Sequence, residues 1–302
     1  MHASRVAVLA ACGLVAGAGI AWLGGAIADD VTVGTPIPTA DAHTLTLAAK
    51  AGMHVRVDGP GGPIHVWVPQ GYRAETGATI VYVHGYYDNA DTAFVGHRLP
   101  EQFAMSALNA MFIVPEAPMK QLVPVSYPNL SHVIRLAEDA TGLHRGMALT
   151  AAVGHSGAFR TLNMWLDEPL LDQIVMIDAM YANEEVMEAW LKASPQHRLI
   201  TVGEDTLQWN EQFLRDTPET LVVDRVPPTY DTWPPEAKTA RVVYVRAQFF
   251  HMGLVTDGIV LPSTLRLLPV ELLATQPWTH PLGGMPIPDA AIDAPSDGVL
   301  AD

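Results

Sequence analysis

The chain has 302 residues, 49% of them apolar, and a formal charge of −15 at pH 7; a chain of that length and composition buries one sizeable core. The acidic balance argues against unaided binding to nucleic acid or to an anionic membrane surface, since both reward clustered Lys and Arg. Cys12 is the single cysteine, so disulfides, thiolate catalysis and cysteine-held metals are excluded from the body of the protein.

Residues 1–28 differ in kind from the rest. Arg5 precedes an apolar, Gly/Ala-rich run from Val6 to Leu23, and Ala26-Ile27-Ala28 offers a small-x-small cleavage site before Asp29-Asp30. That is the layout of a secretory signal peptide. An uncleaved N-terminal anchor is the alternative, because the run is nearly long enough to span a bilayer. Leu9-Ala10-Ala11-Cys12 also has the form of a lipobox, with few apolar residues ahead of it. The expectation is export, periplasmic or secreted, with membrane contact only through this segment.

A single domain over 29–275 follows. Its polar, Pro-containing lead-in (29–46) gives way to His54-Val55-Arg56-Val57 and Ile64-His65-Val66-Trp67-Val68, two alternating runs around Asp58-Gly59-Pro60-Gly61-Gly62-Pro63. This is a β-hairpin signature. Thr79 to Val83 is apolar on both faces, as a central parallel strand requires. Further strand candidates are Met111 to Val114, Met147 to Val153, Ile174 to Ile177, Leu199 to Val202 and Val242 to Val245, with helix-compatible stretches between them. Such alternation predicts an α/β fold: a mostly parallel sheet with helices on both faces. Asn183 to Leu191 illustrates the helices, with Asn183 placed to cap, Glu184 and Glu185 at the positive end, and Val186, Met187, Trp190 and Leu191 forming a core stripe. From 276 to 302 the composition shifts to Pro, Gly, Ala and Asp without periodicity, an extended or disordered tail.

The chemistry concentrates where strands end. Gly154-His155-Ser156-Gly157-Ala158 closes an apolar strand and opens the helix-compatible run Phe159 to Leu166. A serine on a tight strand-to-helix turn needs small neighbours, and the helix start then aims free N–H groups at an oxyanion. The bland alternative is a buried turn serine. At the end of Thr79 to Val83, His84-Gly85-Tyr86 would give one oxyanion donor, the Tyr86 N–H, and Gly157 N–H the other; equally, a turn glycine beside a satisfied histidine would look the same. His251 opens a loop after the last core strand and is the candidate general base. His155 reads as a packing residue, since neighbours on the turn point apart. Two acids compete to orient the base: Asp178, directly after the buried run Ile174 to Ile177, is favoured, and Asp205 is the alternative unless it merely caps the next helix.

Together His84-Gly85, Gly154-His155-Ser156-Gly157-Ala158, Asp178 or Asp205, and His251 resemble the α/β-hydrolase superfamily over residues 52 to 270. The resemblance implies a serine hydrolase with no metal and no cofactor, working through an acyl-enzyme. It commonly places the acid on the strand after next from the serine, which would favour Asp205; members with the acid one strand earlier match Asp178. Alanine at 158 is a mild departure. The stretch between Ile177 and Leu199 holds one helix and no large cap domain, so the expected substrate is a small-molecule or polymer-end acyl compound, with Tyr86 to His97 and Val123 to His132 walling the cleft. Carboxylic ester hydrolysis leads; amidase or peptidase activity with the same residues, and a non-catalytic binding protein on this fold, are the alternatives.

Overall fold

The computed structural model describes residues 49–227, 230 and 232–273; the leader, the lead-in and the tail named above lie outside these. The hairpin forms as its turn residues dictate. Strand β1 (Met53–Gly59) runs antiparallel to β2 (Gly62–Val68), Gly59 faces Gly62 across a Pro60-Gly61 turn, and Gly62 supplies the φ of +117° that such a turn needs.

Seven more strands complete the sheet: β3 (Ala78–Val83), β4 (Ala110–Pro115), β5 (Leu149–His155), β6 (Gln173–Ile177), β7 (Arg198–Gly203), β8 (Leu221–Val223) and β9 (Val242–Arg246). Their order is β1-β2-β4-β3-β5-β6-β7-β9-β8, with β1-β2 and β2-β4 antiparallel and every other pair parallel. This is the mostly parallel sheet, with an antiparallel hairpin at one edge, that the sequence predicts. After β3 the chain goes outward to β4 and then crosses back to β5 on the other side, so the topological switch lies between β3 and β5. Ligand sites of open α/β sheets gather beyond the carboxyl ends of strands at such a point.

Alternate residues of each central strand feed opposite faces. Ile80, Tyr82, Phe112, Val153, Ile177, Val202 and Val245 pack on the side covered by helices α1 (Ala90–Gly96) and α2 (Leu99–Ser106) and, after β9, by α7 (Gly253–Thr256) and α8 (Val260–Leu265). Val81, Val83, Met111, Ile113, Ala152 and Met176 pack on the other, under α3 (Leu130–Thr141), α4 (Phe159–Met164), α5 (Glu184–Ala193) and α6 (Leu207–Asp216). Between β6 and β7 there is α5 and no cap domain. Among the described residues no helix is long and apolar enough to cross a membrane.

Two local expectations need correcting. Asn183 precedes α5 but makes no capping bond; its Nδ2 donates to Asn163 Oδ1 of α4 at 3.1 Å, because the residue is buried against that helix. Asp205 does not cap α6 either, since Thr206 holds the position before that helix.

Candidate active site

Ser156 directly follows β5 with φ +54°, a left-handed conformation for a non-glycine residue, and opens a single 3₁₀ turn (Ser156–Ala158) before α4. Such backbone costs of order 1–3 kcal/mol and persists only where the surroundings impose it. Here they do. A Cβ on Gly154 would lie 2.7 Å from Leu162 Cδ1 and 3.0 Å from Ala158 Cβ, and one on Gly85 would lie 2.8 Å from Ser156 Cβ. Ala158 is fully buried against this crossing, so the methyl group at that position fills space and does not obstruct the turn. The serine itself stays partly accessible.

The two expected oxyanion donors adjoin. A Cβ on Gly157 would meet the Tyr86 ring at 2.5–2.7 Å, so glycine is what lets the Tyr86 segment close over the turn. The first N–H groups of the 3₁₀ turn have no acceptor within it. Buried His84 sets the direction of the Tyr86 N–H. Its Nε2 accepts from the Ala117 N–H at 3.0 Å, which leaves Nδ1 to carry the proton and donate to the Gly85 carbonyl at 2.8 Å. In a trans peptide the carbonyl and the following N–H point opposite ways, so fixing Gly85 O turns the Tyr86 N–H away from His84.

Asp178 follows β6 directly, with φ +46° and no solvent exposure. Its Oδ1 accepts from the Glu204 N–H (2.7 Å), the Thr206 N–H (3.1 Å) and the Thr206 hydroxyl (2.9 Å); its Oδ2 accepts from the Asp205 N–H (3.1 Å) and from His251 Nδ1 (2.9 Å). Burial alone would raise its pKa, but His251 and these N–H donors overcome that and hold it at about 2. The carboxylate is therefore ionised, built in from the loop after β7. In return Asp178 raises the pKa of His251 above its ordinary value, against the opposing effect of burial. With Nδ1–H committed to Asp178, Nε2 of His251 is the nitrogen left to accept a proton.

Asp205 is largely exposed, and its Oδ2 stands 3.5 Å from His251 Nδ1, beyond the 2.9 Å of Asp178. Its neighbour Glu204 is raised to about 7, first by its hydrogen bond with Asp205 and then by burial. Asp178, Asp205 and His251 are also the one group of three donors, among the described residues, close enough to hold a cation. Both Asp178 oxygens, however, already accept hydrogen bonds.

Ser156 and His251 share no hydrogen bond among the described residues; Tyr181, whose pKa burial raises and the Ser156 side chain partly lowers, stands beside the serine. Tyr181, with no role assigned from sequence, lies against Phe159 and Trp209 at ring separations of 5.7 and 5.1 Å. Two further residues make contacts that the sequence does not signal. His155 is packed as expected but also donates from Nε2 to the His251 carbonyl at 3.2 Å. Arg160 bonds the carbonyls of Lys120 (3.1 Å) and Val123 (2.9 Å), tying the loop before α3 to α4. Their types gave no signal, because each acts through backbone of a distant loop.

No protein-family model and no curated protein matches the chain by sequence. Solved structures do resemble it. A fluorophosphonate-binding serine hydrolase of Staphylococcus aureus is 11% identical with a TM-score of 0.48, covering 72% of this chain and 98% of its own. A feruloyl esterase module from Clostridium thermocellum is 13% identical with a TM-score of 0.46 over 76% of this chain and 93% of its own. An esterase of Pyrobaculum calidifontis is 13% identical with a TM-score of 0.44 over 74% and 86%.

Proposed function

We propose that the chain is a serine hydrolase acting on carboxylic esters, with Ser156 as nucleophile, His251 as general base, Asp178 as the acid that orients it, and the Tyr86 and Gly157 N–H groups as oxyanion donors. The observation that carries this reading is the Asp178–His251 pair, its carboxylate fully buried, with a serine in left-handed backbone directly after the neighbouring strand β5. A carboxylate that needs five donors, one of them an imidazole, is costly to bury without a use for the pair.

The serine hydroxyl first comes within reach of His251 Nε2. Ser156 Oγ then bonds to the ester carbonyl carbon as His251 Nε2 takes the hydroxyl proton, and the carbonyl oxygen becomes the oxyanion. Collapse breaks the bond to the alcohol oxygen, which leaves with the proton from His251. Water repeats the cycle on the acyl-enzyme and releases the acid. With no cap domain, the cleft suits a small-molecule or polymer-end acyl compound. Export through residues 1–28 belongs to the same proposal and rests on their sequence; a mature N-terminus at Asp29 would support it, and recovery with Met1 intact from the cytosol would oppose it.

The test is turnover of an aryl ester and its matched anilide by wild type and Ser156→Ala. Ester turnover that exceeds anilide turnover and falls by about 10³-fold or more in the variant supports the proposal. Anilide preference would turn the assignment to an amidase. No turnover of either by folded protein favours a binding protein.

A further inference from the structure

The general base is anchored at its ring by Asp178; the structure also shows what anchors its main chain. His155 is 2% exposed, and its ring lies 4.5 Å from that of His251. Its Nε2 faces the His251 carbonyl, so that nitrogen carries the proton and donates. Nδ1 has backbone over it, since a Cβ on Gly85 would come within 3.4 Å. Behind His155 stands His97, edge-on at 6.0 Å, itself bonded through Nδ1 to the Tyr82 hydroxyl (2.9 Å) and through Nε2 to Asp88 (3.1 Å).

We infer that His155 is a positioning residue: through its Nε2–H it fixes the main chain of His251, so that the base presents Nε2 to the nucleophile next door to His155 in sequence. This rests on the hydrolase reading of the site. Two bonds at opposite ends of one residue, ring to Asp178 and carbonyl to His155, remove the loop freedom that one bond alone would leave. The donor is neutral as well. Burial, then the nearby His251 and His97, hold the His155 pKa down to about 3 despite some opposing pull from Asp178, so His155 does not compete for the proton that His251 carries. The geometry further explains why a histidine, longer than a serine or threonine donor, stands at the residue before the nucleophile: the ring spans from the end of β5 to the loop after β9.

The test compares His155→Leu, which fills the space without a donor, and His155→Gln, whose amide nitrogen reaches the Nε2 position. Three quantities are read: kcat and KM on an aryl ester, melting temperature, and the titration of the His251 ring by NMR. The expected result for the leucine variant is kcat about tenfold lower at unchanged KM, with the His251 titration displaced; the glutamine variant restores both. Wild-type kcat and titration in both variants would overturn the inference. So would equal impairment of the two, which would assign His155 to packing alone. If the leucine variant does not fold, His155→Asn, whose amide stops short of the Nε2 position, replaces it. Should the wild type hydrolyse nothing, the functional reading fails separately, and the NMR arm decides: displacement restored by glutamine supports the positioning role, and an unmoved titration overturns it.

Discussion

Five hydrogen bonds converge on Asp178, and one of them comes from the backbone of its rival, Asp205. The two acids therefore have different work: Asp178 holds His251, and the Asp205 backbone helps hold Asp178. Asp178→Asn is expected to lower kcat by roughly 10³- to 10⁴-fold, whereas Asp205→Asn, which keeps the backbone N–H, is expected to change it by less than about tenfold. Steady-state kinetics of the two variants reversed in rank would move the acid to Asp205. The pH profile carries a second expectation. In the proposed mechanism His251 works as the neutral imidazole, and Asp178 raises its pKa, so activity is expected to fall as pH drops through a value above the ordinary histidine figure of about 6.5. In Asp178→Asn the interaction that raises it is gone, and the remaining activity loses its acid limb at lower pH.

At the scale of elements, each site residue sits where a strand ends and a loop from elsewhere closes on it. Arg160, in the first turn of α4, holds the carbonyls of Lys120 and Val123, and the Tyr87 N–H holds Met119 O at 2.9 Å, so the segment 119–123 is fastened to α4 on one side and to the loop after β3 on the other. Arg160→Ala is expected to raise KM several-fold and to speed proteolysis within residues 116–127, while the melting temperature changes little, because the arginine touches no core side chain in these bonds. Limited proteolysis with mass mapping checks this; unchanged cleavage would show that the loop is held otherwise. The central strands were legible in sequence because burial on both faces makes each a continuous apolar run, as in Ile80-Val81-Tyr82-Val83. The hairpin was legible from its Gly/Pro turn. Strand β8 was not, since three half-buried residues carry no period, nor was the loss of the Asn183 cap, which depends on Asn163 across the fold. The serine turn and the strand-end acid have local signatures; the contacts of His155, Tyr181 and Arg160 arise only when distant loops meet.

Across the whole molecule the two ends of the parallel sheet divide the labour. The carboxyl ends carry the strained and charged groups; the opposite end is held by Arg198 at the start of β7. This buried guanidinium donates to Ala237 O (2.6 Å), Ala240 O (2.8 Å), Leu267 O (2.8 Å) and Gln173 Oε1 (3.2 Å), joining β6, β7, the approach to β9 and the chain after α8. Desolvation lowers its pKa to about 10, which leaves it charged at neutral pH. Arg198→Met would strand several buried carbonyls, and denaturant unfolding is expected to show a loss on the order of 3 kcal/mol with kcat unchanged in the remaining folded protein. A loss of activity at full stability would contradict that division. The central claim, that Ser156 is a nucleophile driven by His251, is tested most directly by intact-mass spectrometry after exposure to a fluorophosphonate, with peptide mapping of the adduct. The account predicts one phosphonyl group per chain, on Ser156, absent from Ser156→Ala and formed far more slowly in His251→Ala; a folded wild type that takes up none, or takes it up elsewhere, would contradict it.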